Sequence, residues 1–468
     1  MAIADLFAHE SDYPDFPSDS AIGHLRQALR FPTVSYIDTS KMHYPAFDDF
    51  HRFLRESYPH ILERCIWEEV GHSLLLQIPG SDPSLRPALF MAHQDVVPVK
   101  PGTEKNWLHP PFSGDLADGY IWGRGAMDIK EMLIGHLEAM EYLLSSGCTP
   151  KRTVFFSFGE DEETCSTGAM AICSLLMERG IELEFVLDEG AGDVMDATDY
   201  GAPGILACLI GIYEKGYLDL RLMTHSKGGH SSNPFHGTSL GHLADAISSI
   251  VSNPRPAVLT DCLRSAFRAL SPNITEEPML TWVSDMDHYE AEILAWCLSR
   301  ESLYHQVSTT IAPTMISEGA PAANVLPQDM WALINMRLAP SDPPETMLAH
   351  CRNLVGPEVE LSLDQQIEAS RPSEIDSYGY IHLKQVLEHY FENLVFIPAQ
   401  NRGATDCRQY EPVCKCCLRF GPFLEEESVS SEGIHGTNER ISVRAYLQGI
   451  RVLTRLMEIT CINPEEHE

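Results

Sequence analysis

The alternation of short apolar runs with longer helical patterns between residues 25 and 187 limits the possible folds most. Strands are expected at Ser73–Ile78, Ala88–Ala92, Thr153–Gly159 and Glu184–Leu187, and helices at Ile129–Ser146 and Thr167–Arg179. A glycine follows each helix, at Gly147 and Gly180, where helices commonly end. The alternation predicts an α/β fold with a mixed, mostly parallel sheet that helices flank on both faces.

A different pattern begins after Tyr217 and runs in the order β-α-β-β-α-β. Its elements are expected at Leu218–Thr224, Leu240–Val251, Thr309–Ser317, Met330–Leu338, Glu345–Val355 and Glu358–Leu363. This order predicts a smaller α+β (ferredoxin-like) sheet with helices on one face, and residues 254–304 look inserted within it. The helix–strand alternation resumes at Ser373. We therefore predict one domain from residues 1–216 and 372–468, and a second domain, 217–371, inserted into it.

Composition restricts the partners. The chain of 468 residues carries 33 basic and 67 acidic residues, a net charge of −34. Nucleic acids and anionic membrane surfaces both attract basic proteins, so we expect neither as a partner. The first twenty residues have no signal-peptide pattern, no apolar run could span a bilayer, and the thirteen cysteines lack the spacing of a disulfide framework. These features favour a cytoplasmic protein with reduced thiols.

Polar residues follow the expected strands where each one ends. His93 comes directly after the second strand, Glu162 and Glu163 come after the third, and Asp188 ends the fourth, while Asp128 precedes a helix. Each residue alone has an ordinary structural explanation, such as helix capping by an aspartate. Together they collect at the carboxyl ends of strands in one sheet, where ligands bind in open α/β folds. Imidazole and carboxylate ligands suit zinc, and also cobalt or manganese.

The neighbouring residues suggest a division of roles. Asp95, two positions after His93, is placed to hold the second ring nitrogen of that histidine. Of the adjacent Glu162 and Glu163, one could bind metal while the other stays available as a general base. Two metals would also require a carboxylate that bridges them. A metal-assisted hydrolase is the predicted class.

Longer motifs around these residues resemble those of a known family. They are His93-Gln94-Asp95-Val96-Val97-Pro98, Gly123–Lys130, Asp161-Glu162-Glu163, Leu187–Gly190, Gly229–Ser232 and Gly433–Glu439. In these motifs the chain resembles the dizinc metallopeptidase and amidohydrolase family of aminoacylase, carboxypeptidase S and succinyl-diaminopimelate desuccinylase. The run Glu214–Tyr217 and the inserted segment look most like the carboxypeptidase S and N-acyl amino acid hydrolase branch.

The resemblance implies a phosphorylase/hydrolase-like catalytic domain with an inserted lid or dimerisation domain, and two Zn²⁺ per subunit that Co²⁺ or Mn²⁺ could replace. The implied ligands are His93 and Asp188 for one metal, Glu163 and His435 for the other, and Asp128 between them. Glu189, next to Asp188, could be the ligand instead. Glu162 would be the general acid/base toward a metal-bridging water, and Asp95 would orient His93.

Further residues are expected to act on the substrate. The resemblance implies that His230 stabilises the oxyanion in the active site of a partner subunit, which requires a homodimer. Asn324 and Arg337 match positions that hold substrate, and Arg408 is expected to pair with a substrate carboxylate. His225 and His236 have a structural interpretation.

The expected reaction is hydrolysis of the amide bond in N-acyl amino acids or short peptides that carry a free C-terminal carboxylate. A dipeptidase or aminopeptidase of the same family is the alternative within this class. A mononuclear metalloenzyme is a further alternative, if one site binds metal weakly. The alternative from a different class is a non-catalytic binding protein on the same scaffold.

Overall fold

The computed structural model describes residues 3–235, 237–401, 403–425 and 433–464, so His236 lies outside the described residues. The chain divides into two compact units. Unit 1 consists of residues 1–197, 204–213 and 372–468, and unit 2 of residues 198–203 and 214–371. The sequence places the boundaries after residues 216 and 371, whereas the units divide after residues 213 and 371. Among the described helices, none is both long and apolar enough to cross a bilayer.

Strands and helices are numbered here in chain order. The strands are β1 Ile66–Val70, β2 Ser73–Ile78, β3 Ala88–His93, β4 Asp115–Ala117, β5 Tyr120–Trp122, β6 Val154–Gly159, β7 Phe185–Asp188, β8 Val194–Asp196, β9 Leu206–Glu214, β10 Gly216–His225, β11 Gly229–His230, β12 Thr310–Ile316, β13 Val325–Leu326, β14 Asp329–Leu338, β15 Val359–Ile367, β16 Val395–Asn401, β17 Cys417–Arg419 and β18 Arg440–Ser442. The α-helices are α1 Ser18–Ala28, α2 Tyr44–Ser57, α3 Pro59–Arg64, α4 Lys130–Ser145, α5 Thr167–Glu178, α6 Ser239–Ser252, α7 Asp261–Leu270, α8 Met279–Ser284, α9 Glu290–Leu298, α10 Glu301–Val307, α11 Pro344–Leu354, α12 Tyr378–Tyr390 and α13 Val443–Met457.

Unit 1 contains the large sheet, in the order β1-β2-β6-β3-β7-β17-β9-β16, with β8 paired to β9. The centre is parallel, since β3 pairs in parallel with both β6 and β7, and β7 pairs in parallel with β17. The pairs β1–β2, β2–β6 and β17–β9 are antiparallel. Every residue of β3 and β6 is buried, as expected for strands covered on both faces. The predicted α/β class is confirmed.

Helix α4 starts two residues after Asp128, at Lys130, and fixes the position of that turn in unit 1. Lys130, in its first turn, is fully buried. Its amine donates hydrogen bonds to the main-chain oxygens of Ala28, at 3.1 Å, and Phe31, at 2.7 Å. Ala28 is the last residue of α1, and Phe31 lies three residues beyond it. Burial lowers the pKa of Lys130 to about 7. A buried lysine therefore joins the end of α1 to the start of α4.

Unit 2 contains an antiparallel sheet in the order β12-β14-β10-β15. Alternate residues of β10, at Leu218, Leu220 and Leu222, point into a core that α6 and α11 complete. The order β10-α6-β12-β14-α11-β15 is the β-α-β-β-α-β order read from the sequence. Helices α7 to α10 lie between α6 and β12, in the segment that the sequence marks as inserted.

Candidate active site

His93, the last residue of β3, is almost fully buried, with 1% of its side chain exposed. Its Nδ1 lies 2.9 Å from the main-chain oxygen of Asp95 and 3.4 Å from Oδ1 of the same residue. A carbonyl oxygen can only accept, so Nδ1 carries a proton, and Nε2 is the ring nitrogen left to face a metal ion. The sequence predicts that Asp95 orients this ring, and in the structure the closer contact is made by its carbonyl.

Asp128 lies between two histidines. Its Oδ1 is 3.1 Å from His93 Nε2, and its Oδ2 is 2.9 Å from His435 Nε2. The same nitrogen of His435 is 3.0 Å from Glu163 Oε2. Four residues from distant parts of the chain thus meet at the carboxyl edge of the sheet. One carboxylate facing two imidazoles is the arrangement that a bridging ligand between two metals requires.

The carboxylate of Asp95, fully buried, holds the loop after β6. The main-chain N–H of Glu162 donates to Asp95 Oδ1 at 3.2 Å, and that of Glu163 donates to Oδ2 at 3.3 Å. Asp95 therefore fixes the backbone of the paired glutamates as well as the ring of His93. This second role was not predicted, because the sequence does not show which N–H groups face a carboxylate.

Asp161 fixes the other side of the same loop. Its side chain accepts hydrogen bonds from the main-chain N–H groups of Thr167, at 3.0 Å, and Gly168, at 2.9 Å. Its main-chain oxygen accepts from Cys165 and Ser166 at 2.9 and 2.8 Å. Asp161 thus satisfies free N–H groups at the start of α5, as helix-capping residues do. The two glutamates are held between Asp95 and this cap.

Glu189, rather than Asp188, approaches His93. Its Oε1 lies 3.3 Å from His93 Nε2. Among the described residues, two groups that include His93 could each hold one ion. One group adds Glu162 and Glu189, and the other adds Asp128 and Glu163. Consecutive residues at a strand end point to opposite faces, so only one of the two acids can face His93. Asp188, the expected ligand, is buried and belongs to neither of these two groups. Its role as a ligand stays a prediction.

The carboxylates of this cluster repel one another. Burial, reinforced by the charge of Glu189, raises the pKa of Glu162 well above its ordinary value. Burial also raises the pKa of Glu189 to about 8. Burial alone would raise the pKa of Asp128 as well, but hydrogen bonds from His435 and His93 outweigh this effect and hold it below its usual range. So much buried acid is favourable only with cations nearby.

The donor set fits divalent cations. Oε1 of Glu163 is buried and has no hydrogen-bond partner within the described part of the chain, although Oε2 contacts His435. An unsatisfied carboxylate oxygen beside two imidazoles is a ready metal ligand. The residues that could hold ions here are His93, Asp128, Glu163, Glu189 and His435.

The sequence model described as peptidase family M20/M25/M40 matches residues 89–459, which include all of these residues. The chain belongs to peptidase family M20/M25/M40. This confirms the resemblance that the motifs indicate. The M20/M25/M40 family is a family of metal-dependent hydrolases of amide bonds, and the protein is a metallo-amidohydrolase of this kind.

Two curated proteins are similar to the chain over most of its length. The chain is 32% identical over 447 residues to the N-fatty-acyl-amino acid synthase/hydrolase PM20D1 of Homo sapiens, covering 93% of this chain and 86% of that protein. It is 29% identical over 494 residues to carboxypeptidase S of Saccharomyces cerevisiae, covering 92% and 82%.

Solved structures of the family share the fold. An M20 family metallo-carboxypeptidase from Sulfolobus solfataricus superposes with a TM-score of 0.64 at 18% identity, covering 94% of this chain and 98% of that one. Human carnosine dipeptidase 1 gives a TM-score of 0.57 at 16% identity, covering 95% and 96%.

A buried ion pair joins two M20 motifs of the chain and was not predicted. Arg124 Nη1 lies 2.5 Å from Glu439 Oε2, and both side chains are buried. Arg124 Nη2 donates to the main-chain oxygen of Gly436 at 2.7 Å, and the N–H of Met127 donates to Glu439 Oε1 at 2.9 Å. The pair therefore fastens the His435 loop to the turn that carries Asp128. Both residues lie inside the quoted motifs, which is the signal that could have found them.

The segment that carries Arg408 places Asp406, rather than Arg408, in the interior. Burial raises the pKa of Asp406 well above its ordinary value. A Cβ atom on Gly159, at the end of β6, would lie 2.6 Å from Asp406 Oδ2, so glycine leaves room for this acid. Arg408 is half-buried on the short turn Asp406–Tyr410. Its expected contact with a substrate carboxylate stays a prediction.

In unit 2, the structure brings His230 and Asn324 together. His230 pairs with Val325 across the β11–β13 ribbon, and Ser231 N–H donates to the main-chain oxygen of Asn324 at 3.0 Å. The N–H of Ser232 donates to His230 Nδ1 at 3.1 Å. Nδ1 is therefore the acceptor in the neutral ring, and the proton stands on the exposed Nε2.

Arg337 lies elsewhere in unit 2. It is exposed near the end of β14 and stacks on the ring of Tyr217, 4.8 Å from its centroid. The His230 ribbon adjoins the start of that strand, at Asp329. Arg337 follows Asp329 by eight residues of extended chain, which corresponds to a distance of about 26 Å. Within one unit, Arg337 is therefore not grouped with His230 and Asn324, and its role in substrate binding stays a prediction.

Proposed function

We propose that the protein hydrolyses the amide bond of N-acyl amino acids, or of short peptides with a free C-terminal carboxylate, with two divalent cations held in unit 1. The contact of Asp128 with two histidines, one at each carboxylate oxygen, is the observation that carries this proposal. The ligands would be His93 and Glu189 for one ion, Glu163 and His435 for the other, and Asp128 for both. Zinc suits these donors, and cobalt or manganese could replace it.

When bound, the cations would acidify a water molecule and polarise the scissile carbonyl. Glu162 would be the general base. Its backbone is fixed by Asp95, and its raised pKa favours uptake of a proton from the attacking water. Glu162 would then pass that proton to the nitrogen of the leaving amine.

The role of Glu162 is tested by Glu162→Gln, which keeps the shape of the side chain and removes the base. We expect metal content to stay unchanged, while kcat falls by several orders of magnitude because the attacking water keeps its proton. Metal analysis and steady-state kinetics measure the two quantities. Turnover near that of the wild type would refute the assignment.

The choice of substrate class is supported by the curated relatives, an N-fatty-acyl-amino acid synthase/hydrolase and carboxypeptidase S. The test is a hydrolysis screen of N-acyl amino acids and C-terminal dipeptides, each paired with its carboxamide. We expect the carboxamides to be hydrolysed poorly. Equal hydrolysis of both members of each pair would overturn the need for a free carboxylate. A requirement for a free α-amine would instead favour the dipeptidase or aminopeptidase alternative.

We propose further that His230 acts in the active site of a second subunit, through the proton on Nε2. The supporting observation is that Ser232 holds Nδ1 and leaves Nε2 exposed as a donor toward an oxyanion. Two inactive variants, Glu162→Gln and His230→Ala, should recover activity when mixed and allowed to exchange subunits, since one site would then contain both native residues. Absence of recovery in demonstrated mixed dimers would refute action in the partner. The cytoplasmic location stays a prediction.

A further inference from the structure

The N-terminal segment Leu6–Asp12 is fastened to the end of helix α12, apart from the catalytic cluster. The N–H of Ala8 donates to the main-chain oxygen of Tyr390 at 2.6 Å, and the ring of Phe7 stacks on the ring of Tyr390 with centroids 4.8 Å apart. This docking brings two residues of the segment, His9 and Asp12, against His389 in the last turn of α12. The proposed hydrolytic mechanism uses none of these three.

The three side chains present a donor set for one metal ion. His389 Nε2 lies 3.0 Å from Asp12 Oδ2, and one donor atom from each of the three residues lies within 4.8 Å of the other two. Zinc binds nitrogen and oxygen at about 2.0–2.2 Å, so two ligands of a tetrahedral ion stand about 3.3 Å apart. The distance between Asp12 Oδ2 and His389 Nε2 therefore needs to increase by only a few tenths of an ångström.

The third ligand requires a rotation. The rings of His9 and His389 are stacked, with centroids 4.2 Å apart and an interplanar angle of 11°. Parallel rings do not aim their nitrogens at one point, so the His9 ring must turn. Its side chain is 46% exposed, which leaves room for that movement. Glu392 Oε1, 4.0 Å from His9 Nε2, could supply a fourth donor.

The charge state favours a cation. Partial burial raises the pKa of Asp12, but hydrogen bonds from His389 and Tyr390 outweigh this effect and hold the pKa below its ordinary value. The carboxylate is thus ionised at neutral pH. Arg451 Nε donates to the main-chain oxygen of Asp12 at 3.3 Å, whereas the carboxylate contacts His389 and Tyr390. Two imidazoles and one carboxylate suit Zn²⁺, Co²⁺ or Ni²⁺.

We propose that His9, Asp12 and His389 form a divalent-cation site, separate from the catalytic cluster, that fastens the N-terminal segment to α12. Binding replaces the hydrogen bond between His389 and Asp12, because a metal-bound Nε2 carries no proton, and the one proton of the neutral ring then stands on Nδ1. The site is open to water, which completes the coordination of the ion.

Metal stoichiometry tests the proposal without an activity assay. The purified protein is titrated with Zn²⁺ in competition with a chromophoric chelator, and His389→Ala is compared with the wild type. We expect the variant to bind one equivalent fewer. The matched control is His225→Ala, because His225 contacts Asp329 through Nδ1, at 2.8 Å, and Glu360 through Nε2, at 3.8 Å. Acids on opposite sides of a ring cannot share one ion with it, so this variant should bind as the wild type does.

Equal stoichiometry of His389→Ala and the wild type would overturn the proposal, and so would the same loss in the His225 control. A second measurement does not rely on His389, in case its replacement prevents folding. Amide hydrogen exchange of residues 7–12 should slow when Zn²⁺ is added to the wild type, and should respond less in His9→Ala, whose side chain is half-exposed. Exchange that is unaffected in the wild type, or slowed equally in the variant, would also overturn the proposal.

Discussion

The double contact of Asp95 makes a sharp prediction for Asp95→Asn. Asparagine has the shape of aspartate but only one acceptor oxygen, so it cannot accept from both Glu162 and Glu163. One of the two hydrogen bonds is lost, and an N–H group then faces the NH₂ of the new side chain. His93 keeps its contact with the main-chain oxygen of residue 95, since the substitution leaves the carbonyl in place. The variant therefore disturbs the base loop and spares the orientation of the histidine.

The expected size follows from the bond that is lost. A hydrogen bond to a charged acceptor contributes about 1.5–3 kcal/mol. If the loop must be in place only in the transition state, this loss lowers kcat by about 10- to 150-fold. KM should change little, because no substrate-binding group is removed. Metal content should stay at the level of the wild type, because all five proposed ligands are intact.

The assay is steady-state kinetics on an N-acyl amino acid identified in the hydrolysis screen, with metal analysis of the same samples. Asp82→Asn is the matched control. Asp82 accepts from the main-chain N–H of Ser84 at 2.9 Å in an exposed turn, so the same chemical change should leave kcat unaltered. A kcat for Asp95→Asn within twofold of the wild type would refute the positioning role. Loss of metal would show instead that Asp95 acts mainly through the proposed metal ligands that it contacts, His93 and Glu163.

Two further predictions concern stability. His136 is fully buried between Phe90 and Phe156, and neither ring nitrogen has a hydrogen-bond partner among the described residues; burial lowers its pKa to about 3. In the unfolded chain His136 takes up a proton near pH 6.5, whereas in the folded chain it stays neutral down to about pH 3. The free energy of unfolding therefore falls as pH drops from 6.5 toward 3, by about 1.4 kcal/mol per pH unit. In urea unfolding, the His136→Leu variant should lose this part of the pH dependence, and its free energy of unfolding at pH 7 should rise by about 1–3 kcal/mol. A pH dependence unchanged from the wild type would contradict the argument. Arg124→Met leaves Glu439 buried without its arginine and should cost about 3–5 kcal/mol, whereas the double variant with Glu439→Leu should recover most of it; equal stability of the single and double variants would contradict the pairing.

Local patterns in the sequence predict much of the fold and the centre of the site. Strand β2 has the bounds that its apolar run predicts, and β3 extends only one residue further, to His93. A residue at the end of a buried strand, or in the loop that follows it, lies at the edge of the sheet, which is why His93 and Glu163 could be placed from sequence alone.

The remainder depends on directions in space that the sequence does not record. Asp188 and Glu189 are adjacent acids at one strand end. Because side chains alternate along a strand, the two point in different directions, but the sequence does not show which one faces His93. Arg337 matches a motif, yet β14 carries it to the end of the strand away from His230. His9 and His389 are 380 positions apart in the sequence, so only the folded chain brings their rings together.

The two histidines that flank Asp128 differ greatly in their access to water. His93 is 1% exposed and His435 is 55% exposed. Exchange of an ion at the His435 position need disturb only a loop, whereas exchange at the His93 position requires the end of a buried strand to open. The two positions should therefore load and empty on different timescales. A brief shortage of metal would then leave a half-loaded protein, with the ion beside His93 retained and the ion beside His435 lost, and a short re-exposure to metal would restore the pair.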